Sequence, residues 1–355
     1  MKKERIYIKD LQSKTGEEVL IKGWVNIRRD QGKMIFLDFR DMTGVVQGVI
    51  LPNQTEAIET GKKLRTEFVV AVTGKVNERP ERNKKAGVLN GDIELEILHI
   101  DILAEAETIP FPIDGDTREV DEAVRLKYRY LDLRNNRMQK NVRMRHKIQK
   151  FVRDFLTKEL FTEVETPLLS APTPEGSRSF VVPSRHVQGS FYSLPQSPQQ
   201  YKQLLMVGGF EKYFQFARCM RDEDSRGDRQ PEFTQLDMEM SFVDEADVMS
   251  LNEKLLIDLV QTFYPEKKIQ EIPFPRMSYK DAMEKYGNDR PDIRTNKEDV
   301  NLLAFLWITD FPAFEKTGEV NLDGTGEWTF THNPFAKPRV EYMDDFLAKK
   351  NIGNI

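Results

Sequence analysis

The N-terminal part of the chain contains five short runs rich in β-branched, aromatic and aliphatic residues, most of them bounded by glycine, aspartate or asparagine. Such runs predict short strands separated by turns. They lie between Glu18 and about Leu103, and their sequences are EVLIKGWV, MIFLDFR, VVQGVI, FVVAVTGKV and IELEILHI. One helical segment, Thr55 to Arg65, falls between the third and fourth runs. This order of strands and helix predicts a small antiparallel barrel of the oligonucleotide-binding (OB) type.

After the barrel, the pattern changes from short strands to long helices mixed with strands. A proline-rich and then charged segment from Ile109 predicts a linker that opens into a short helix. Apolar residues then recur at helical spacing and predict a long amphipathic helix from about Asn136 to Glu159. We therefore expect a barrel domain at residues 1–105, a hinge at 106–140 and a second domain at 141–355.

A second, shorter helix is predicted in the segment SPQQYKQLLMVGGF. Ser197 is the expected N-cap, because a serine hydroxyl accepts hydrogen bonds from the first free amides of a helix. Tyr201, Leu204 and Leu205 are spaced to form one buried stripe. Lys202 is not part of that stripe, so the residue pattern by itself favours a solvated lysine.

Two strands that follow this helix carry charged side chains. The stretch FTQLDMEMSF alternates strictly and places Gln235, Asp237 and Glu239 on its polar face. An ordinary half-buried strand with its polar face in water explains this alternation equally well. The strand before it, KYFQFARCMRDED, leads small side chains up to Arg221 and Glu223. An arginine and a carboxylate beneath a loop with further arginines suit a phosphate-rich ligand.

Composition narrows the class of protein. A chain of 355 residues exceeds the size of most single hydrophobic cores, so two domains are expected. Hydrophobic residues at 39% and charged residues at 31% exclude a disordered or collagen-like protein. The formal net charge of -5 argues against a protein that coats nucleic acid through bulk charge.

The sequence has neither an apolar leader after its first lysines nor an apolar run long enough to span a bilayer. Its single cysteine, Cys219, excludes an internal disulfide and a cysteine-based zinc site. We therefore expect a cytoplasmic protein with no membrane partner. Neither a P-loop pattern nor a Gly-x-Gly-x-x-Gly pattern occurs, so a phosphate ligand would need another nucleotide-binding design.

Longer motifs carry a resemblance to a known family. FTEVETPLLSAPTPEG, which ends at Gly176, resembles motif 1 and the following loop of class II aminoacyl-tRNA synthetases. FARCMRDEDSRGDRQPEFTQLDMEMSF resembles motif 2, and this long form is highly specific. Within the class, QSPQ, RDED and DRQPEFTQLD are similar to bacterial aspartyl-tRNA synthetases, and GWVNIRRDQGKMIFLDFRD resembles their anticodon-binding OB domain. The resemblance covers nearly the whole chain.

This resemblance implies an α+β multidomain fold, with an N-terminal OB barrel and a class II catalytic domain built on an antiparallel sheet. The implied activity is that of an aspartate–tRNA ligase. ATP, with Mg²⁺, activates L-aspartate to aspartyl-adenylate, and the acyl group then moves to tRNA(Asp). Whether tRNA(Asn) is also a substrate stays open. The resemblance further implies a homodimer formed through motif 1.

The resemblance also implies roles for individual residues of the catalytic domain. Its contacts to aspartate are Glu175, Gln199, Lys202, Arg221, Gln235, Asp237 and His332. Its contacts to ATP are Arg221, Asp222, Glu223 and Gln230. Arg221 is the implied catalytic residue, because it would bridge the α-phosphate and the aspartate carboxylate. A loop histidine such as His332 is equally well explained as structural or solvated. The sequence identifies no set of metal ligands.

In the barrel, the resemblance implies a set of residues that read the tRNA anticodon. These are Arg29, Phe36, Gln47, Arg79, Asn83 and Glu94. Unpaired RNA bases are recognised by stacking on aromatic rings and by hydrogen bonds to their edges, and this set offers both. Phe36 has a second interpretation, because MIFLDF also reads as plain barrel core.

The sequence departs from the bacterial family in three places. It lacks the large domain that those enzymes carry within the catalytic domain, and it has Asn333 in place of the second histidine of His-His-Pro-Phe. It also contains no motif 3, the glycine-rich strand and helix whose arginine stacks on adenine. We therefore expect a fragment of a longer enzyme rather than a natural reduced form. A non-catalytic tRNA-binding protein stays open as an alternative, as does an asparaginyl or lysyl relative, although RDED, QSPQ and QPEFTQLD weigh against the latter two.

Overall fold

The computed structural model describes residues 4–173, 175, 177–318, 327–331 and 338–350. The chain divides into two compact units, Met1–Met144 and Arg145–Ile355. In the first unit the helices and strands are β1 Glu18–Gln31, β2 Met34–Arg40, β3 Val45–Ile50, α1 Thr55–Lys63, β4 Val69–Glu78, β5 Ile93–Ala104, α2 Glu122–Lys127 and α3 Arg129–Asp132. Short 3-10 helices occupy Ile8–Lys14, Glu81–Asn83 and Thr117–Glu119.

The five strands of the first unit form a closed barrel in the order β1-β2-β3-β5-β4. Only β3 and β5 pair in parallel, and α1 lies between β3 and β4 in the chain. The OB-type barrel predicted from the five runs is therefore confirmed. β1 is longer than its predicted run, because it continues through a bulge after Val25 to pair with the whole of β2.

Alternation along β2 shows how the sequence positions the barrel core. Ile35, Leu37 and Phe39 are buried inside the barrel. Phe36 and Asp38 lie on the opposite face of the same strand, because successive side chains of a strand point to opposite sides. The inner face therefore supplies the packing energy, and the outer face is free to carry polar chemistry.

The segment after the barrel is ordered rather than an open linker. Phe111, Ile113 and Leu131 form a small hydrophobic cluster of their own. Beneath it the buried Thr117 hydroxyl donates a hydrogen bond to Asp132 Oδ1 at 2.7 Å. These contacts tie α3 to the start of the segment, since the paired polar groups remove most of the cost of burying them.

A buried carboxylate joins this segment to the barrel within the first unit. Glu67 is 2% exposed. Its Oε2 accepts hydrogen bonds from Arg40 at 2.8 Å and from Arg134. Since Arg40 lies on β2 and Arg134 follows α3, one carboxylate fixes both elements.

The second unit contains most of the helices. Its elements, with the helix that enters it, are α4 Asn136–Lys158, β6 Thr162–Glu163, β7 Val181–Pro183, β8 Phe191–Ser193, α5 Gln199–Val207, β9 Lys212–Met220, β10 Glu232–Met240, α6 Glu245–Phe263, β11 Lys268–Ile269, β12 Arg276–Ser278, α7 Tyr279–Tyr286, β13 Leu302–Leu303, β14 Trp307–Thr309, β15 Phe314–Lys316, β16 Trp328–Phe330 and α8 Met343–Ala348. A 3-10 helix, Val340–Tyr342, precedes α8. The long helix predicted from apolar spacing is confirmed in α4 to within one residue.

A three-stranded sheet in the order β10-β9-β6 is the centre of this unit. One face of β9 and β10 packs with α4 and α6 in a hydrophobic core that includes Phe155, Phe214 and Leu255. On the opposite face Asp237 pairs with Gln215 and Glu239 pairs with Tyr213 across the two antiparallel strands. We call these four side chains, with Lys202, the sheet floor.

The two strands are shorter than predicted. β9 ends at Met220 rather than continuing through Arg221 and Glu223. The chain leaves the ladder there because the Arg221 amide donates to the carbonyl of Pro231, which has no amide to return the bond. β10 ends at Met240, and Phe242 adopts a positive φ of 60° and is 92% exposed.

Candidate functional site

The short helix α5 faces the sheet with a side that the sequence did not predict. Pro198 precedes its first residue, and the Ser197 hydroxyl accepts from the Gln199 amide at 3.3 Å and donates to Glu175 Oε2 at 2.6 Å. Leu204 is 64% exposed, whereas Lys202 is only 9% exposed. The predicted capping contact of Ser197 is therefore present, whereas the placement of Leu204 in a buried stripe and the solvated-lysine interpretation of Lys202 are wrong. Apolar spacing failed here because the face that this helix buries contains a charged residue with partners.

Lys202 is held by two carboxylates of the sheet floor. Its Nζ donates to Asp237 Oδ1 at 2.9 Å and lies 3.2 Å from Glu239 Oε2. Burial by itself lowers the pKa of Lys202, but the two carboxylates outweigh it and hold the pKa above its usual value. The lysine is therefore a fixed cation with two carboxylate partners.

Asp237 has one anchored oxygen and one free oxygen. Oδ1 accepts from Lys202, while Oδ2 is buried and has no hydrogen-bond partner in the described part of the chain. Burial raises the pKa of this carboxyl, and its contact with Lys202 offsets part of that rise. A buried acceptor without a partner is costly, so its retention points to a ligand that donates to it.

Two floor residues were missed by sequence reasoning. Tyr213 is fully buried, and its hydroxyl donates to Gln215 Oε1 at 2.7 Å. The hydroxyl of Thr166 donates to the same oxygen at 3.0 Å. The strand alternation places Tyr213 and Gln215 on the polar face, but tyrosine and glutamine there carry no motif that signals a role.

Glu175 lies at the edge of the site. Its two carboxylate oxygens accept from the hydroxyls of Thr173 and Ser197, at 2.8 Å and 2.6 Å. Nearby, the buried Gln196 donates to Ser177 and thereby holds the segment after Glu175 against the start of α5. Gln199 is half-buried at the first position of α5. These hydroxyl contacts hold the half-buried Glu175 carboxylate in place, as a ligand for an ammonium group would be held.

Arg221 is oriented by an aromatic ring. Its guanidinium lies 5.3 Å from the ring centroid of Phe233, and its Nε is buried without a partner among the described residues. Stacking on a ring fixes the plane of a guanidinium and leaves its edge for an anion. The sequence analysis did not single out Phe233, although it lies two residues before Gln235 on the same strand.

The remaining ATP candidates lie around Arg221 on exposed backbone. Asp222, Glu223 and Gln230 are all exposed. The Asp222 amide donates to the carbonyl of Arg178 at 3.0 Å, and Glu223 lies 3.8 Å from Arg229. These side chains form an open rim, in contrast to the buried floor.

The thiol of Cys219 is buried next to Gln235. Its thiol donates to Gln235 Oε1 at 3.3 Å, and burial raises the pKa of the thiol to about 11. The charges of Arg221, Asp237 and Glu175 all act on this thiol. The hydrogen bonds join Lys202 to Asp237 and Gln235 to Cys219 on one face of the sheet, and they join Glu175 to Ser197 just before α5. His332 lies outside the described residues.

On the barrel, part of the predicted anticodon set forms one cluster on the outer face. Arg29 pairs with Phe36 across β1 and β2, and it donates to Gln47 Oε1 at 3.4 Å. Gln47 in turn donates to Glu94 Oε2 at 3.3 Å. We call these four residues the barrel cluster. Phe36 is half-buried and lies outside the barrel core, so its interpretation as a core residue is wrong.

The other two anticodon candidates are placed differently. Arg79 is 6% exposed and donates through Nε to the carbonyl of Ile93 at 2.8 Å, so it stabilises the barrel backbone. Asn83 is exposed in the 3-10 helix between β4 and β5. No hydrogen bond or ion pair joins either residue to the barrel cluster within the chain segments that the structure covers.

The part of the chain that the structure describes contains no group of three or more histidine, cysteine, aspartate or glutamate residues arranged to hold a metal ion. Among the same residues, no helix has the length and apolarity needed to cross a bilayer.

Comparison with known protein families matches both units. Residues 121–354 match the family described as tRNA synthetases class II (D, K and N). Residues 19–103 match the OB-fold nucleic acid binding domain.

Similar proteins agree with these matches. The chain is 48% identical over 322 residues to an aspartate–tRNA(Asp/Asn) ligase of Syntrophomonas wolfei, a match that covers 88% of this chain and 54% of that protein. It is 47% identical over 316 residues to an aspartate–tRNA ligase of Staphylococcus saprophyticus, covering 88% of this chain and 53% of that protein. The chain thus spans about half the length of the relatives it matches.

Among solved structures, the fold is similar to that of asparaginyl-tRNA synthetase from Pyrococcus horikoshii complexed with asparaginyl-adenylate. The TM-score is 0.69 at 26% sequence identity, and the match covers 81% of this chain and 68% of the other.

Proposed function

This chain belongs to the class II tRNA synthetases of the D, K and N group, and from that premise we propose that it acts in aspartate–tRNA ligation. L-aspartate and ATP form aspartyl-adenylate and pyrophosphate, and the aspartyl group is then transferred to tRNA(Asp). The reaction needs no covalent enzyme intermediate, so binding and orientation supply most of the catalysis.

The observation that carries this proposal is the buried cation of the sheet floor. Lys202 offers a fixed positive charge at a site where only a paired charge is tolerated. A substrate carboxylate that reaches this cation makes a charge-assisted hydrogen bond, whereas a neutral amide makes a weaker one. The free Oδ2 of Asp237 and the carboxylate of Glu175 are acceptors for the α-ammonium group.

Arg221 is assigned the catalytic role. Its guanidinium plane is set by Phe233, and its buried Nε has a donor to spare. We assign this edge to the α-phosphate of ATP and to the substrate carboxylate, whose charges change during in-line attack. Gln199 and Gln235 complete the aspartate pocket, and His332 is proposed to close it.

ATP and Mg²⁺ are assigned to the exposed rim. Mg²⁺ commonly keeps several waters and takes one or two carboxylates together with substrate phosphates, so it needs no closed set of protein ligands. Asp222 and Glu223 offer such carboxylates next to Arg221, and Gln230 offers an amide. When bound, the ion neutralises charge on the phosphates.

The barrel cluster is assigned to the anticodon of the tRNA. Phe36 supplies a ring for base stacking, and Arg29 and Gln47 supply donors for base edges. Glu94 accepts from Gln47 within the cluster, Arg79 holds the neighbouring backbone at Ile93, and Asn83 is proposed as a further exposed contact. The functional form is proposed to be a cytoplasmic homodimer that contacts tRNA(Asp).

The test is aspartate-dependent exchange between ATP and pyrophosphate. We expect exchange with L-aspartate and none with L-asparagine or L-lysine. Lys202→Met should abolish it, whereas Lys254→Met, at an exposed ion pair with Glu159, should leave it unchanged. Exchange with asparagine instead would assign the chain to an asparaginyl relative. No exchange together with retained tRNA binding would mean that this chain is a catalytically incomplete tRNA-binding fragment or paralog.

The identity of the tRNA is tested separately. Charging of purified tRNA(Asp) and tRNA(Asn) with labelled aspartate shows whether one or both are substrates. We propose tRNA(Asp) as the substrate, and charging of tRNA(Asn) at a similar rate would extend the proposal to both.

A further inference from the structure

The first unit contains a cavity that the proposed function does not use. It has a volume of about 250 Å³ and lies between the turn that joins β2 to β3 and the beginning of α4. All the residues that line it belong to the first unit. The α4 wall is formed by Asn136, Gln139 and Arg143, which lie three and four residues apart and so share one face of the helix. The volume is just below the range of about 300–1,000 Å³ that is usual for small-molecule pockets, so the cavity fits one small molecule or one nucleotide.

Three arginines line the cavity, and a buried carboxylate fixes two of them. Arg40 and Arg134 both donate to Glu67. Their guanidinium carbons lie 5.8 Å and 5.6 Å from the ring centroid of Trp24. The side chain of the third, Arg143, is exposed and makes no hydrogen bond or ion pair with a residue that the structure describes. Because one carboxylate serves two arginines and the third arginine has no partner, positive charge is in excess here.

The acidic side chain in the lining offers little to a ligand. Asp41 is 6% exposed. Its Oδ1 accepts from the amide and hydroxyl of Thr43 and from the amide of Gly44, while Oδ2 accepts from the amide of Ile8 and lies 3.7 Å from Arg5. The aspartate thus holds its own turn together and its charge has a partner. The groups left for a ligand are donors, so the cavity selects an anion.

Apolar surface accompanies these donors. Trp24 is half-buried in the lining, and Met42 is 62% exposed at the same cavity. Guanidinium groups bind phosphate oxygens through their fork of N–H donors, whereas an aromatic ring binds the flat face of a base. An inorganic ion would use only the first of these features. Both together suit a nucleotide, which joins a phosphate to a planar base.

The cavity continues the face of β2 that carries the barrel cluster. Arg40 lies four residues after Phe36, so both side chains lie on the outer side of the strand. At about 3.4 Å per residue, the two positions are about 14 Å apart along β2. An RNA strand that is bound at the barrel cluster can therefore reach the cavity with a nucleotide only a few positions away.

We propose that the cavity binds one nucleotide, with its phosphate on Arg134 and Arg143 and its base against Trp24 and Met42, and that tRNA supplies this nucleotide from a position outside the anticodon. Glu67 sets the position of Arg134 for this contact. The choice of tRNA as the source rests on the proposed function. The nucleotide chemistry rests on the lining of the cavity, and a free nucleotide is the other source that the test distinguishes.

The experiment uses the full chain and follows the cavity directly. The indole N–H of Trp24 gives an NMR signal of its own, which Trp24→Phe identifies among the three tryptophans. This signal is followed during titration with a tRNA(Asp) transcript and, separately, with uridine 5′-monophosphate, a nucleotide that carries no adenine for the ATP site. Arg143→Gln removes the cation without a partner. Lys140→Gln is the matched control, because Lys140 is an exposed cation of the same helix and is not part of the lining.

The Trp24 signal should shift with the transcript in wild type and in Lys140→Gln, and it should shift much less in Arg143→Gln. Affinity for the transcript is measured by fluorescence anisotropy at several salt concentrations. Loss of one phosphate contact should reduce the slope of log affinity against log salt by about 1 in Arg143→Gln and leave it unchanged in Lys140→Gln.

The two ligands separate the possible sources. A Trp24 signal that shifts with the mononucleotide but not with the transcript would support the nucleotide chemistry and overturn tRNA as its source. A signal that moves with neither ligand overturns the proposal, as do equal changes of the salt dependence in the two variants. Absence of aspartate-dependent exchange overturns the proposed function instead, while titration with the mononucleotide still decides what the cavity binds.

Discussion

The barrel cluster carries its polar side chains on an exposed surface, whereas the sheet floor carries them in the interior of its unit. In the barrel cluster, Arg29 is 41% exposed at its side chain and pairs with Asp38 on the outer face of a finished hydrophobic core. In the sheet floor, the side chains of Lys202 and Asp237 are 11% and 10% exposed. The first surface is added to a stable fold, whereas the second is part of the interior of its unit.

This difference has an energetic consequence. Exposed ion pairs contribute little to stability, because water screens them and the long side chains lose entropy when they pair. A buried pair contributes little in net terms as well, but removal of one partner leaves an unpaired charge in a poorly solvated site. Substitutions in the barrel cluster should therefore change RNA binding without changing the stability of the fold. Substitutions in the sheet floor should change both substrate binding and stability.

The largest expected effect comes from Lys202→Met. It leaves Asp237 and Glu239 without their shared cation. We expect a loss of about 3 kcal/mol in the free energy of unfolding of the second unit, measured by chemical denaturation at pH 7.

The double variant Lys202→Met/Asp237→Asn is the control for this prediction. It removes one charge of each sign, so it should recover part of the lost stability while substrate binding stays lost. Equal stability of wild type and Lys202→Met would show that the floor is solvated like the barrel cluster.

A substitution in the barrel backbone should have the next largest effect. A Cβ added at Gly23 would lie 2.2 Å from the carbonyl oxygen of Arg40, so β1 and β2 must separate. We expect Gly23→Ala to lower the free energy of unfolding of the first unit by about 2 kcal/mol, measured by denaturation.

Gly115→Ala is the matched control in the same unit. Its Cβ meets no atom within 4 Å and its φ is not positive, so the change should be close to neutral. A Gly23→Ala protein as stable as this control would argue that the barrel closes more loosely than its contacts suggest.

The barrel was predictable because its rules are local. Each strand buries one face, so alternation in MIFLDFR and its neighbours encodes both the strands and their inner side. The structure places Phe36 on the opposite face of β2 from Ile35 and Leu37, although the stretch MIFLDF as a whole reads as core. The apolar content of this stretch is misleading about which side chains form the core. The alternation of buried and exposed positions along the strand identifies them correctly.

The floor was predictable only in part. The motif resemblance identified Lys202 and Asp237, and strand alternation gave the correct face for Asp237. Apolar spacing gave the wrong face of α5, because Lys202 is buried by its contacts with two carboxylates of a distant strand and not by a local pattern. The hydroxyls of Tyr213 and Thr166 meet at the Gln215 amide oxygen, and no local rule brings those three residues together.

A smaller effect on stability is expected from the buried thiol at high pH. The pKa of Cys219 is raised by burial from 9.0 to about 11, so the unfolded chain loses this proton before the folded chain does. Stability should therefore fall as pH rises from about 9 towards 11. At pH 10 we expect wild type to have lost about 1 kcal/mol more than Cys219→Ala, relative to each protein at pH 8. Parallel pH profiles of the two proteins would contradict a buried thiol.

The smallest effect on stability is expected from Arg29→Ala, and it separates the two regions most directly. Because Arg29 is exposed and its pairs are screened, the free energy of unfolding should change by less than about 0.5 kcal/mol. Affinity for an anticodon stem-loop of tRNA(Asp), measured by fluorescence anisotropy, should nevertheless fall about tenfold, since the guanidinium is a donor for a base edge.

Lys22→Ala, at another exposed cation on β1, is the control and should change neither quantity beyond the loss of general charge. Equal losses of RNA affinity in both variants would mean that the barrel cluster attracts RNA only by charge, whereas a large loss of stability in Arg29→Ala would mean that the outer face of the barrel, like the sheet floor, cannot be changed independently of the fold.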